Sequence, residues 1–493
     1  MIQPLIDALP HVLELRMLAA VAIGTIAGLI VGALPGLTAT TGIAVMIPLT
    51  FGMDPLFALG LMAGMYNGGS YGEAIPAILM RVPGTPASVA TVLDGYPLTQ
   101  QGRAGYALQV SIISAVIGST VSAISLIIFA PLLVKLSLMF GPAEYFWVAL
   151  LGLATVASLL GDDLVKGLIA TLIGLLIGTM GTDLTTGTER YTFDMLEFAD
   201  GFDIIVLLTG LFAFPPMLFM IEEAMRTGMD KSALHLKREG SVLRDWRRFL
   251  PVWIRSSIIG VIVGALPGAG GSMSCYLAYN DAKRISKEPE TFGKGNPVGV
   301  AASECGNGAD NAASLIPALT LGIPGSGVAA VILGGLLVHG LRPGPALFKD
   351  HPDIVYGFML QMLFSALLLA VIGGMTATRI FGQALRLPRV VLAPAIMLIV
   401  TLGVYSVNNS TFDLAMLLIV GFGAYFLERL DYPAAPLVLG VILGPIAESQ
   451  LNLALTIGGG QVQALVASPM SILMIVLTVF VLLTPLIGAL RRR

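Results

Sequence analysis

The sequence predicts an all-α polytopic membrane protein built as inverted structural repeats, with two re-entrant, broken-helix hairpins and roughly 10–12 transmembrane helices. Three observations lead there. The 493 residues are 56% hydrophobic and only 12% charged, with a mean hydropathy of +0.88, whereas a soluble domain carries roughly 25% charged residues. The phrase GLIVGALPG at 28–36 returns as GVIVGALPG at 260–268, differing at one position in nine. Two apolar stretches, NGGSYGEAIPAILMRVPGTP (67–86) and ECGNGADNAASLIPALTLGIPGSG (304–327), are broken repeatedly by glycine, proline and polar residues. Ile-Pro-Ala at 75–77 matches 316–318, and Pro-Gly at 83–84 matches 324–325, with the same internal spacing. Broken backbone at membrane depth is tolerated only where protein buries it or water lines it. Paired segments of this kind in two halves point to the binding site of a carrier.

Taken in order, residues 1–16 read as an interfacial amphipathic helix, with Leu5, Leu9, Val12, Leu13 and Leu15 on its apolar side. The stretch has neither a basic n-region nor a small-residue cleavage site, so it is not read as a removable signal. Residues 17–225 form the first repeat and open with the spanning candidate Met17–Leu34. The small-residue stretches 37–60 and 268–280 follow the two Leu-Pro-Gly phrases and read as tilted or broken helices. Apolar runs follow the first hairpin at 105–136, 144–160, 164–181 and 203–222. The second hairpin is followed by runs at 353–376, 390–407, 411–427, 434–447 and 470–490. The run at 105–136 is long for one crossing, and tilt or an interfacial end absorbs the excess. Residues 226–250 read as a basic linker, 251–450 as the second repeat, and 451–493 as a C-terminal loop and transmembrane helix. From Pro35 to Pro76 is 41 residues, and from Pro267 to Pro317 is 50. The extra nine fall in the charged segment Asn280–Pro297, read as a solvated loop.

Orientation follows from the bias of Lys and Arg toward cytoplasmic loops. Eight basic residues lie between Arg226 and Arg255, Arg379, Arg386 and Arg389 cluster, and the chain ends in Arg491–Arg493. All three groups are assigned to the cytoplasm. Counting crossings then puts the acidic loop 182–202 and Asp350 outside and Arg103 inside, so the exits of the two hairpins face opposite sides. By symmetry the N-terminus is periplasmic and the C-terminus cytoplasmic.

Broken helices expose backbone groups that hold ions without further chemistry, N-terminal ends favouring carboxylates and unwound carbonyls favouring Na⁺. For a carboxylate, the candidates are the backbone around Asn67, Gly68, Gly69, Ser70 and Tyr71, and around Gly308 and Asn311. Gly84 with Thr85 and Gly325 with Ser326 lie close by. Asn67, Asn307, Asp310 and Glu304 are the oxygen donors for a coupling cation. Arg81 can pair with a substrate carboxylate, snorkel to the interface or pair with Glu73. The structural alternative for the amides and hydroxyls is bonding between helices. Asp94 and Glu448 read as residues that cap or anchor turns. Cys275 and Cys305, with four scattered histidines, give no disulfide framework and no metal-ligand spacing. No Walker sequence and no intramembrane protease motif is present, and no basic run suggests nucleic acid.

The phrases GALPGLTATTGIAVMIPLTFGMDP, YGEAIPAILMRVPGTPASVATVLDGYPL, FGKGNPVGVAASECGNGADNAASLIPALTLGIPGSG and HGLRPGPALF resemble the large permease subunit, TctA, of the tripartite tricarboxylate transporters. The likeness runs from about Gly24 to Gly459 and includes LVKGLIATLIGLLIGTMGTD and LGVILGPIAE. The resemblance implies a bacterial inner-membrane secondary carrier that imports citrate-like or related carboxylates. It implies a TctB-like small membrane subunit and a TctC-like periplasmic solute-binding protein as partners, and symport with Na⁺ or H⁺ as the driving ion. It also implies an elevator-like alternating-access cycle, with a homodimer of the large subunit as one arrangement, and neither enzymatic activity nor a cofactor. The competing readings are an autonomous organic-anion carrier and a membrane enzyme acting on a lipid-linked substrate.

Overall fold

The computed structural model describes residues 2–34, 36–159, 164–183, 187–227, 242, 246–267, 270–384 and 389–490. Among them the protein is all-α apart from a two-residue antiparallel pair, Gly181–Thr182 with Glu189–Arg190. Six helical stretches are long and apolar enough to cross a membrane: Leu15–Ala33, Ala104–Ser137, Ile204–Glu222, Pro352–Gly374, Thr411–Arg429 and Ala434–Ile457. The chain is thus a multi-pass membrane protein. Most of the basic linker at 226–250, Arg386 and Arg491–Arg493 lie outside the described residues.

Each of the two matching stretches begins with a helix, the apolar Leu15–Ala33 in the first and Trp246–Gly264, with Arg247, Arg248 and Arg255 in its first half, in the second. A Leu-Pro-Gly turn and a shorter helix follow, Ala39–Thr50 and Gly270–Ile285. Then comes the broken arm. The first arm is Pro55–Gly72, a break at Glu73, the short helix Ala74–Met80, an extended tip, and Pro86–Gln100. The second is Pro297–Ala313, a break at Ser314, Leu315–Leu321, a tip, and Gly327–Val338. The breaks agree in backbone geometry, Glu73 at φ −62° and ψ −25°, Ser314 at φ −66° and ψ −17°. Both short helices end on a left-handed residue, Arg81 at φ 60° and Gly322 at φ 76°.

The second arm is interrupted less often than its sequence suggests. Its first helix runs unbroken through Gly306 and Gly308 to Ala313. Those glycines are sites of close approach between helices, the usual role of small residues inside membranes. A Cβ on Gly308 would lie 2.5 Å from the carbonyl oxygen of Ala115, and one on Gly260 would lie 2.6 Å from that of Gly306. The first arm is seamed in the same way, with Gly24, Gly28 and Gly32 of Leu15–Ala33 facing Gly64, Gly68 and Gly72. At Gly28 an added Cβ would stand 2.6 Å from Met65 O and 2.7 Å from Gly69 N.

Two long helices brace the arms crosswise. Ala104–Ser137, which leaves the first arm, packs on the second arm, and Pro352–Ala384, which leaves the second, packs on the first. Ala104–Ser137 is one continuous 34-residue helix, about 51 Å at 1.5 Å per residue. The 203–222 run divides at Ala213 into Ile204–Phe212 and Phe214–Thr227. The N-terminal helix Ile2–Leu13 packs on Pro352–Ala384 through fully buried Ala8 and Val12, leaving Leu9 and Leu13 exposed, and Leu15, which opens the next helix, is exposed as well. Gly270–Ile285 continues beyond Asn280, so the loop before Pro297 is shorter than the charge pattern suggests. Residue 450, the expected end of the second repeat, falls inside Ala434–Ile457.

Two acidic residues anchor loops. Asp94, fully buried, accepts through Oδ1 the backbone N–H groups of Gly293, Gly295 and Asn296 at 2.9, 2.9 and 2.8 Å, and through Oδ2 the Tyr279 hydroxyl at 2.8 Å. Glu448 pairs with Arg190 at 2.6 Å, and the same guanidinium reaches Asp183 at 2.5 Å, fixing the 182–202 loop.

Gly28→Leu drives a side chain into the backbone of the neighbouring helix, so heating purified protein and following its elution should show a loss of about 3 kcal/mol or more. A Cβ on Gly423 would meet nothing within 4 Å, so Gly423→Ala should elute as the parent protein does. Asp94→Ala strands a set of backbone donors and should cost on the order of 3 kcal/mol in the same assay; an unchanged midpoint would show that the loop is held elsewhere.

Candidate functional site

The two arms meet through side chains supplied by both repeats. Asn311 Nδ2 donates to Asn67 Oδ1 at 2.9 Å, and Ser70 Oγ donates to Asn311 Oδ1 at 3.1 Å. Asn307 Nδ2 donates to Ser70 Oγ at 3.1 Å. Asn67 Nδ2 also donates to Ser365 Oγ at 2.6 Å and to Met362 O at 3.2 Å on the bracing helix. All four of these arm residues are buried, Asn67 at 1% exposure and Asn311 at 2%. Matching the two Ile-Pro-Ala phrases makes Ser70 and Asn311 equivalent positions, each six residues before its proline.

One turn further on, a hydroxyl cluster joins the arms. Tyr66 OH lies 3.0 Å from Ser314 Oγ and 3.2 Å from Ser326 Oγ. Ser326 Oγ donates to Ser314 Oγ at 3.1 Å, and Ser314 Oγ donates to Asn311 O at 2.9 Å. Ser326 is the N-cap of Gly327–Val338, its Oγ accepting Ala329 N–H at 3.1 Å.

Asp310 sits beside this cluster, 2% exposed, and its Oδ1 has no hydrogen-bond partner among the described residues. Its carboxylate faces the start of Gly270–Ile285. A Cβ on Gly264 would lie 2.8 Å from Asp310 Oδ1, and one on Gly271 would lie 2.8 Å from Asn307 Oδ1 and 3.3 Å from Asp310 Oδ2. Asn307 Oδ1 and Asp310 Oδ2 therefore both lie against Gly271 at the start of that helix. Among the described residues, no three His, Cys, Asp or Glu side chains are grouped to hold a metal ion.

Other candidates lie apart from this meeting point. Glu304 is bound by the Thr91 and Ser111 hydroxyls, the latter at 3.1 Å, and ties the second arm to the last helix of the first arm and to the long helix that leaves it. Arg81 is exposed, with its guanidinium carbon 5.9 Å from the centre of the Tyr96 ring. Tyr71 is buried in an apolar cluster with Ile75, Ile112 and Leu369. Gly68 and Gly69 lie within a helix, where they admit Thr25 and Ala39. Their N–H groups belong to that helix, and the backbone donors of the tips lie instead at Gly84–Thr85 and Gly325–Ser326. Outside the arms, a cavity of about 390 Å³ is lined by Asp183, Arg190, Glu448, Asn452 and Thr456. Its guanidinium is already engaged by two carboxylates.

Tyr66, Ser314 and Ser365 belong to the site but were not singled out from sequence. For Ser314 a signal was present, since the Ile-Pro-Ala register places it opposite Glu73. Glu73 itself, considered only as a partner for Arg81, is buried and accepts Ala39 N–H at 3.1 Å and the Thr85 hydroxyl at 2.6 Å.

Residues 18–439 match the model of the family described as Tripartite tricarboxylate transporter TctA family. An uncharacterized 52.8 kDa protein of the TAR-I ttuC′ 3′ region of Agrobacterium vitis is 35% identical over 458 residues, 91% of this chain and 89% of that protein. A protein of the TAR-II ttuC′ 3′ region of the same organism is 35% identical over 212 residues, 43% of this chain and 87% of that protein. No solved structure matches the chain. With the match spanning both broken arms and the helices that brace them, the chain belongs to the TctA family of tripartite tricarboxylate transporters.

Proposed function

We propose that this chain imports carboxylates by ion-coupled alternating access, with the substrate held where the two arms meet. The observation that supports this most is the buried contact between equivalent polar residues, Ser70 and Asn311, from two interrupted arms. The family is one of transporters and not of enzymes, and its name implies a tripartite system with TctB and TctC partners. In this reading a periplasmic solute-binding protein delivers a tricarboxylate or related acid to the permease. The repeats, 17–225 and 251–450, are inverted in an inner membrane with roughly 10–12 crossings, and the C-terminus is cytoplasmic. An elevator-type cycle is the form of alternating access proposed.

The substrate seat comprises the Asn67, Ser70 and Asn311 side chains together with Gly325 and Ser326 of the second tip. The cation seat comprises Asp310 and Asn307, with Asn67 bridging the two. A buried carboxylate without a partner is costly, and a substrate acid beside it would be repelled strongly in a medium of low dielectric. A cation, Na⁺ or H⁺, on Asp310 offsets both penalties. Each ligand then raises the affinity of the other, as linkage requires.

Uptake into proteoliposomes, with and without the solute-binding protein, tests the reading. Asn311→Ala leaves Asn67 and Ser70 without their partner and should lower uptake about tenfold or more, with insertion unchanged. Parent-level uptake in that variant would remove the arm contact from the site. Asp310→Asn should abolish accumulation driven by a Na⁺ or proton gradient. Accumulation at the parent level would place the coupling cation elsewhere.

A further inference from the structure

The two tips differ in one respect that the repeat makes readable. In the first, the carboxylate of Glu73 spans two helix beginnings, accepting Ala39 N–H of Ala39–Thr50 at 3.1 Å and the hydroxyl of Thr85, N-cap of Pro86–Gln100, at 2.6 Å. Helix N-termini attract anions because their first N–H groups lack partners and the dipole is positive there. The first tip thus carries its own carboxyl group at these helix beginnings.

At the equivalent position the second tip has Ser314, which has no carboxylate. The surrounding parts are nevertheless the same. Ser326 stands for Thr85 with matching backbone, φ −143° and ψ 166° against φ −137° and ψ 166°. The beginning of Gly270–Ile285 stands for that of Ala39–Thr50. In place of Glu73 the second tip closes on itself. Gly325 N–H donates to Ser314 O and Gly270 N–H donates to Gly325 O, both at 3.1 Å. The hydroxyls of Tyr66, Ser314 and Ser326 bond among themselves. In the first tip the Glu73 side chain lies under Gly84, where a Cβ would meet its Cγ at 3.1 Å. A second, independent observation is the buried Asp310 Oδ1, which has no partner among the described residues and lies against Gly264, the residue whose carbonyl oxygen adjoins Gly325 of the tip.

We propose that a carboxylate of the transported acid occupies, in the second tip, the place that Glu73 holds in the first. Binding lifts Gly325 from Ser314, and the freed N–H groups of Gly270 and Gly325 with the hydroxyls of Ser326 and Tyr66 donate to the incoming oxygens. Asp310 alone would repel that carboxylate. The cation on Asp310 lies between the two negative groups, which explains why acid and cation are carried together. Glu73 is a fixed internal mimic of the substrate, and the inequality of the repeats makes the second tip the loading tip. The inference rests on the reading of the chain as a carboxylate carrier.

The test grafts the internal anion onto the second tip. Citrate, succinate and acetate are titrated calorimetrically into purified permease in Na⁺ buffer, and the tightest-binding acid is used throughout. Ser314→Glu should bind that acid about tenfold or more weakly than Ser314→Gln, which has the same bulk without the charge. Equal affinities of these two variants would overturn the proposal. Should Ser314→Glu fail to fold, Ser326→Ala against Thr85→Ala decides. The proposal requires the larger loss of affinity at Ser326, and an equal or larger loss at Thr85 overturns it. If the parent protein binds none of the three acids, the carboxylate-carrier reading itself fails. If it binds one and the variants do not differ, only the assignment to the second tip fails.

Discussion

Asn67 and Asn311 meet at 2.9 Å in the interior of a multi-pass membrane protein, and the packing around them follows from that contact. An amide buried without a partner costs more than most single interactions return, so the two arms must arrive in fixed register. Close register needs backbones that nearly touch, which is what the glycine seams provide. Gly24, Gly28 and Gly32 seat the first arm, while Gly118, Gly260, Gly264 and Gly308 seat the second. Crosswise bracing does the rest, because each arm rests on the long helix that leaves the other. The central polar cluster is thereby gripped from both sides, with Ser365 closing the first side and Ser122 the second, the latter accepting Ala313 N–H at 2.8 Å.

Much of this was legible in the amino-acid order. The repeated GxIVGALPG phrase and the matched Ile-Pro-Ala and Pro-Gly spacings identified the two arms, and Asn67, Ser70, Asn307 and Asn311 do come together. Asp94 and Glu448 anchor loops, as their positions suggested. What spacing did not reveal was which interruptions break the helix. Gly306 and Gly308 look like breaks in one dimension, yet the helix continues because neighbouring backbones occupy the space a side chain would need. Ser314, an unremarkable residue by composition, is where the helix turns. Glu304 and Asp310 are both acidic and lie on one helix, but one is satisfied by two hydroxyls while the other has an oxygen without a described partner. Only the neighbours from distant segments separate them.

The inequality of the repeats matters as much as their likeness. Two tips of equal chemistry would offer two equal seats. Here the first tip is already satisfied by Glu73, while the second is held shut by backbone and hydroxyl bonds that exchange readily for bonds to a ligand. An internal carboxyl group at Glu73 and a serine at 314 are the chemical difference between the two tips on which the proposal rests. In the proposed cycle, a cation on Asp310 would tie ion binding to the stability of the loaded state.

The most direct test is a density map of the permease with a bound carboxylate and Na⁺. The acid is expected between the arms, with one carboxylate within hydrogen-bonding distance of Ser326 and another polar group at Asn311, and the cation at Asp310. A carboxylate located instead in the cavity beside Arg190, with the Asn67–Asn311 contact unchanged, would contradict the central claim.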